Sequence, residues 1–383
     1  MKVLDLTEFY SERGGGVRSH LTLKGHFSGQ LGHEQVVLAP GPTDVDSGAG
    51  PEGRILRISG PSLPYDPTYH LLWRIDKIRE RIAAERPDVL EIHSPYVAAL
   101  GALAASPSTF GVRTFFWHSD FIDTYRAVLA KRVPSRVADP ALAPLWAWVR
   151  SIGRACSATI AASRGQADKL RAHGVPNVVL LPFGVDKELF RPEAEDGAVR
   201  ADLLRGAAGP LLVGVGRFAV EKRWDVVIDA FLALRRKVPA ATLVLFGDGP
   251  ERARLEARAK GAVRFPGFVK DRAHLAAALA SADALVHGCP FETFGIGVAE
   301  AIACGLPVVV PDEGGAAEQA GDAYAELYRS GDAAACTRAI ERLLARDRTQ
   351  LRRAAREAAT RVPSVRDHFV ALFALYEDLL ARA

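Results

Sequence analysis

The chain has 383 residues, 49% of them hydrophobic and 25% charged, with 49 Lys and Arg against 45 Asp and Glu for a formal net charge of +4. That composition excludes a disordered, collagen-like or mucin-like chain, and the length predicts two domains. The slight basic excess allows an anionic ligand but argues against a dedicated nucleic-acid binder.

No apolar run reaches the roughly 20 residues that a membrane span needs. Asp5 and Glu8 break up the apolar start of the chain, so no export leader is expected and a cytoplasmic location is. Cys156, Cys289, Cys304 and Cys336 are scattered without a C-x-x-C pair. They are expected to be buried small hydrophobes, not zinc ligands or disulfide partners.

Short β-branched runs alternate with longer amphipathic stretches, the signature of βα units on a parallel sheet. Strands are predicted at 3–6, 36–39, 55–58, 89–92, 114–117, 159–162 and 178–181. Helices are predicted between them, for example at 68–84 and 164–172. Residues 191–210 are polar and contain Gly and Pro, which predicts a domain boundary. The rhythm restarts with strands at 211–215, 242–246, 263–265, 284–287 and 307–310. The expected layout is therefore a first domain over 1–190, a second over 191–365 and a terminal helix over 366–383. That helix carries Phe369, Leu372, Phe373, Tyr376, Leu379 and Leu380 on one stripe, which needs a surface to cover it. Two open α/β domains bind ligands outside the carboxyl ends of their strands, so a cleft between domains is expected.

Four segments can carry chemistry. Gly14-Gly15-Gly16-Val17-Arg18-Ser19-His20 follows the first strand and opens a helix, where glycines admit a ligand to free backbone N–H groups. A flexible loop would read the same way. Gly214-Val215-Gly216-Arg217-Phe218-Ala219 fits a dinucleotide fingerprint, but no acid stands about 20 residues on at a strand end. Arg217 and Lys222 in that loop instead suit a diphosphate, unless both are ordinary solvated charges. Glu292 and Glu300 stand eight apart around the Gly295 turn, one in the loop and one on the helix that follows. By spacing alone, a shared ligand and two unrelated carboxylates are equally good readings. His118 follows a strand end, as His93 does, so histidine at that position is not diagnostic by itself. Asp44 and Asp46 form a D-x-D triplet in a Gly- and Pro-rich surface stretch, which discounts it as a metal site.

Taken in order, these segments resemble the retaining glycosyltransferases of family four, the group-one glycosyltransferases of GT-B fold. Glu292 to Glu300 resembles the family's E-x7-E motif, and Arg217 to Lys222 its G-R-x-x-x-E-K loop. Leu181-Pro182-Phe183-Gly184-Val185-Asp186 with Phe190-Arg191-Pro192 resembles its hinge segment, with Phe183 in place of the usual Asn. Phe246 to Glu251 and Phe265 to Val269 resemble two further loops of the nucleotide-binding domain. The resemblance implies two Rossmann-like domains and hexosyl transfer from a nucleoside-diphosphate sugar, GDP-mannose or a UDP-hexose. The acceptor would be a lipid, a lipid-linked saccharide or a polysaccharide.

It also implies roles. Arg217 and Lys222 would hold the donor diphosphate without a metal or other cofactor. Glu300 would bond the ribose, and Glu292 the transferred sugar, with backbone at Phe294, Gly295 and Ile296 nearby. Gly15 and Gly16 would approach the donor, as would the loop at Gly247. The Val269 backbone would meet the base, and His118 the sugar or acceptor. Residues 126–154 hold six basic groups and one acid, with Trp146 and Trp148 among apolar residues. An anionic membrane surface would suit them, which would place the enzyme on the inner face of the cell membrane. A partly buried helix with a solvated basic edge gives the same pattern. The competing functions are a nucleotide-sugar epimerase, a nicotinamide-dependent oxidoreductase and a sugar-nucleotide binder without catalysis.

Overall fold

A computed structural model describes residues 1–10, 16–48, 53–64, 66–129 and 140–383. The chain divides into two compact units, Met1–Pro182 with Arg366–Ala383, and Phe183–Val365.

The first unit is built on β1 (Lys2–Leu6), β2 (Glu34–Gly41), β3 (Val45–Asp46), β4 (Arg54–Ser59), β7 (Val89–Ile92), β8 (Val112–Trp117), β9 (Ala158–Ala161) and β10 (Val178–Leu180), ordered β10-β9-β8-β7-β1-β2-β4-β3. All pairings are parallel except β3 with β4. A separate ribbon pairs β5 (Ser62–Leu63) with β6 (Asp66–His70). The helix predicted over 68–84 is shorter than expected and begins at Ile75. Asp66 explains the difference, because its carboxylate accepts from the Thr68 N–H and hydroxyl and holds an extended turn. Strands β1, β7 and β8 are buried almost throughout, as a sheet covered on both faces requires.

The second unit holds β11 (Leu211–Val215), β12 (Thr242–Phe246), β13 (Val263–Gly267), β14 (Ala284–Val286), β15 (Val308–Pro311) and β16 (Ala325–Tyr328). Their order, β13-β12-β11-β14-β15-β16, is that of a doubly wound nucleotide-binding sheet. In each unit the first strand lies where the winding reverses, beside β2 and β7 in one and β12 and β14 in the other. The loops after β1 and β11 therefore open at the switch points where ligands bind.

The division at Pro182 falls earlier than the expected boundary at 191. The polar stretch that suggested the boundary forms a short 3-10 turn at Pro192–Ala194 and a helix at Gly197–Leu204 within the second unit. The chain enters and leaves that unit along paired segments. Val185 bridges Ser364, donating to the Pro363 carbonyl at 2.9 Å and accepting from Val365 at 3.1 Å. The terminal helix Val365–Ala381 belongs to the first unit from Arg366 onward, and it buries Phe369, Leu372, Phe373 and Tyr376.

Candidate active site

In the second unit, β11 ends at Val215 and the chain turns through Arg217 into a short 3-10 turn, Val220–Lys222. Gly214 is needed for close approach, since a Cβ there would lie 2.7 Å from the Trp224 ring. The fingerprint glycine thus makes room for an indole. Trp224 in turn fixes the loop, donating from Nε1 to the Arg217 carbonyl at 3.0 Å. Arg217 is exposed, whereas the Lys222 side chain is 24% exposed.

Lys222 Nζ donates to Glu292 Oε1 at 2.6 Å, and His287 Nε2 lies 3.2 Å from the same oxygen. The diphosphate loop and the first glutamate of the E-x7-E segment therefore meet. Burial raises the Glu292 carboxyl, but Lys222 and His287 overcome that and hold it below the usual carboxylate range. Lys222 is pushed above the ordinary lysine value by Glu292 against the opposing effect of burial. His287, Cys289 and Glu292 converge as three metal ligands could. Burial raises the Cys289 thiol to about 12, and Glu292 already accepts from the Lys222 ammonium.

Glu300 lies elsewhere on the same segment. Gly295, with φ of 86°, makes the left-handed turn that only glycine adopts easily, and the helix Ile296–Ala303 starts there. Its first N–H groups have no intrahelical partner and form an anion-friendly end. Glu300 is buried one turn in and is held by Arg272, whose guanidinium also lies 4.7 Å from the Phe190 ring centroid. Burial raises the Glu300 carboxyl, opposed by Arg272. The two glutamates thus take different partners, one a lysine and one an arginine. Phe294 is fixed edge-on against Phe183, the residue that replaces the usual hinge Asn, at 5.7 Å between centroids. The Gly247 N–H donates to the Gly267 carbonyl at 2.9 Å, tying the loop after β12 to the end of β13; half-buried Val269 follows two residues on.

In the first unit, Gly16 opens the helix Gly16–Gln30; Gly14 and Gly15 lie outside the described residues. His118, just past β8, is half-buried, stacks on Phe116 at 4.3 Å and hydrogen-bonds His93 Nδ1 through Nε2 at 2.7 Å. His93 Nε2 lies 2.8 Å from Asp5 Oδ1. Behind this pair is a group of charges with no solvent exposure. Lys24 Nζ contacts Asp5 Oδ1 at 2.6 Å, Glu91 Oε2 at 2.7 Å and the Tyr376 hydroxyl at 2.8 Å. Asp5, Glu91 and His93 also converge as metal ligands could, and Asp5 and Glu91 hold this ammonium. The sequence reading missed Lys24, Glu91, Tyr376 and Arg272. A signal existed in the acids Asp5 and Glu91, each inside an otherwise apolar central strand.

One expectation changes. Trp146 is buried and stacks on His173 at 3.7 Å, and Trp148 donates to the Pro95 carbonyl at 2.6 Å. These tryptophans pack inward and present no membrane anchor. Lys131, Arg132 and Arg136 of the basic segment, with Asp139, lie outside the described residues. All four cysteines are buried and unpaired.

Residues 198–362 match the family model of glycosyl transferases group 1, and residues 13–189 that of glycosyltransferase family 4. A GDP-mannose-dependent alpha-(1-6)-phosphatidylinositol dimannoside mannosyltransferase of Mycobacterium tuberculosis is 33% identical over 322 residues, covering 81% of this chain and 79% of that protein. A GDP-mannose-dependent alpha-mannosyltransferase of Mycolicibacterium smegmatis is 33% identical over 323 residues, covering 82% and 80%. Among solved structures, a sucrose-phosphate synthase of Thermosynechococcus elongatus shares the fold over the whole of both chains, with a TM-score of 0.80 at 21% identity. Anabaena HepE in complex with UDP-glucose does so with a TM-score of 0.72 at 20% identity. The chain belongs to the family-four, group-one glycosyltransferases and is a glycosyltransferase of GT-B fold.

Proposed function

We propose that the protein transfers mannose from GDP-mannose, with retention of configuration and without a metal, to a lipid or lipid-linked saccharide. The Lys222–Glu292 pair is the observation that carries the reading. Transfer expels a nucleoside diphosphate whose bridging oxygen gains negative charge, and a cation must meet that charge. Lys222 and Arg217, with the start of the helix Ile296–Ala303, take that place, and Glu292 orients the lysine while contacting the sugar. Glu300 bonds the ribose, Val269 backbone meets the base, and the loop at Gly247 lies alongside. From the first unit, His118 contacts the sugar or acceptor, and Gly15 and Gly16 approach the donor.

Mannose and a lipid-borne acceptor are favoured because relatives covering about four-fifths of the chain are named for GDP-mannose, and one for a phosphatidylinositol dimannoside. No helix among the described residues is long and apolar enough to cross a membrane. Attachment would be peripheral, at the inner face. In the first unit Trp73 is 61% exposed and Leu71 47%, next to Arg74, and they suit a lipid interface better than the buried tryptophans. Flotation with anionic and neutral vesicles tests this, and binding to neither ends it.

Calorimetry with GDP, UDP, ADP, their sugar conjugates and NAD, with and without chelator, tests the donor. GDP and GDP-mannose are expected to bind selectively, equally well in chelator, and to lose affinity in Arg217→Ala. Selective binding of UDP and a UDP-hexose would replace the donor, binding of NAD alone would overturn the transferase chemistry, and loss of binding in chelator would restore a metal.

A further inference from the structure

The hydrogen bonds around Lys24 determine where protons sit, and the consequence reaches the surface of the first unit. Lys24 has three protons, directed to Asp5 Oδ1, Glu91 Oε2 and the Tyr376 hydroxyl. Tyr376 then donates its own proton to Glu91 Oε2 at 2.7 Å. Gln35 donates to Asp5 Oδ2 at 2.7 Å, and Thr114 to Glu91 Oε1 at 3.0 Å. Both carboxylates are therefore acceptors throughout. Burial raises the Asp5 carboxyl, but the charge of Lys24 and the hydrogen bond from His93 outweigh it and keep it ionised.

An ionised Asp5 requires an N–H from His93 Nε2, 2.8 Å away. We take His93 as singly protonated, with its proton on Nε2 and a lone pair on Nδ1; a doubly protonated ring would donate from Nδ1 instead and put the His118 proton on Nδ1, the outcome that overturns the assignment. His118 Nε2 stands 2.7 Å from that lone pair, and two lone pairs do not face each other at such a distance. The proton between the rings then belongs to His118. We propose that Asp5 and His93 are positioning residues that fix His118 as the tautomer protonated on Nε2, so that Nδ1 is a hydrogen-bond acceptor for a substrate hydroxyl. The proposal rests on the reading of His118 as a residue that touches the sugar or the acceptor.

The surroundings favour a neutral ring. Around His118 stand His93, with His20 at 5.2 Å, and beyond them Lys24, Asp5 and His368. Burial first, and the Lys24 ammonium with it, push His118 well below the ordinary histidine value, with Asp5 opposing. A protonated His118 would carry an N–H on both nitrogens and could not accept from a hydroxyl. The cluster thus supplies both a neutral ring and the tautomer that leaves its outer nitrogen an acceptor.

The test is long-range 1H–15N correlation on the full chain labelled with 15N-histidine, with His118→Gln to assign the signal. A single His118 tautomer protonated on Nε2 is expected across neutral pH. His93→Phe should mix the tautomers and lower kcat about 10- to 100-fold, with the affinity for GDP unchanged. His93→Asn, which keeps an amide oxygen near Nδ1, should restore the tautomer and most of the rate. A wild-type His118 protonated on Nδ1 would overturn the proposal even if His93→Phe fails to fold. So would a folded His93→Phe with unaltered tautomer and rate. Full activity in His118→Ala would instead remove the catalytic reading of His118 and leave the tautomer result standing.

Discussion

Each unit places a lysine against a carboxylate near the switch point of its sheet, and the two lysines do opposite things. Lys24 has no exposure, and its three protons are all committed to Asp5, Glu91 and Tyr376. Lys222 meets one carboxylate among the described residues, Glu292, and its side chain stays 24% exposed. The first is a closed network, complete without a ligand. The second keeps donor capacity turned to solvent, as a group that must meet an incoming anion should. A buried charge is costly unless every proton and lone pair is matched, so the closed cluster holds histidine geometry rather than binding substrate.

The largest expected effect is on stability. Lys24→Met leaves Asp5 and Glu91 buried without their cation, and breaking such a pair costs about 3–5 kcal/mol. Urea unfolding followed by a first-unit tryptophan signal measures it. Adding Asp5→Asn and Glu91→Gln should recover most of the loss, because an uncharged cluster has nothing to compensate. A loss below about 1 kcal/mol in Lys24→Met would mean that the cluster is wetter than its burial indicates.

Lys222→Ala should leave the fold intact and act on turnover, by roughly 10²- to 10³-fold, the usual effect of losing one group that meets developing charge. Arg217→Ala should act mainly on donor affinity, since its exposed side chain is screened by water. Steady-state kinetics with calorimetry separates the two. Equal losses in kcat and affinity for both variants would erase the distinction.

The glutamates sharpen the comparison through pH. Glu8 caps the helix Val97–Ala104 by accepting from the Ala98 N–H at 2.7 Å, and among the described residues no cation hydrogen-bonds it. Burial raises it to about 7, against Ser94 and the Ala98 amide. Glu292, with Lys222 beside it, is held low instead. The linkage signs are therefore opposite. Between pH 4.5 and about 7 the folded chain holds a proton on Glu8 that the unfolded chain has lost, so stability falls as pH rises through this window. Glu292 stabilises fully above its ordinary value of 4.5 and loses that contribution as pH falls below it. Glu8→Gln should flatten the upper limb of a stability–pH curve and Glu292→Gln the acidic limb. The same limb flattening in both variants would contradict the assigned partners.

Much of this was legible in the sequence because it is written in local pattern. Apolar runs of strand length gave both sheets, and Gly295 before a helical run gave the turn on which Glu300 depends. Short pairings such as β3 and β5 were not legible, because two residues carry no periodicity. Residues 68–70 were read as the start of the helix predicted over 68–84, and the side-chain turn at Asp66 decided otherwise. Trp146 and Trp148 showed why composition misleads at a surface, since basic residues with aromatics fit a lipid interface and a packed helix equally well. Lys24 was invisible for a different reason. Its partners come from positions 5, 91 and 376, and only the folded chain brings such distant residues to one point.

The smallest effect tests how far the terminal helix reaches into that cluster. Tyr376→Phe removes one hydroxyl and keeps the ring, which packs 5.7 Å from Phe373. The hydroxyl both accepts from Lys24 and donates to Glu91, so its loss leaves a Lys24 proton without an acceptor and one lone pair of Glu91 without that donor. Both groups are buried, and the expected cost is about 1–3 kcal/mol. Glu91 still accepts from Lys24 and Thr114, and Asp5 keeps Lys24, Gln35 and His93, so the His118 tautomer should not change. Denaturant unfolding with the histidine spectrum of the same variant reads both quantities. A stable protein with an altered His118 signal would mean that the terminal helix controls the histidine directly. A destabilised protein with an unaltered signal would place the control in Asp5 and His93 alone.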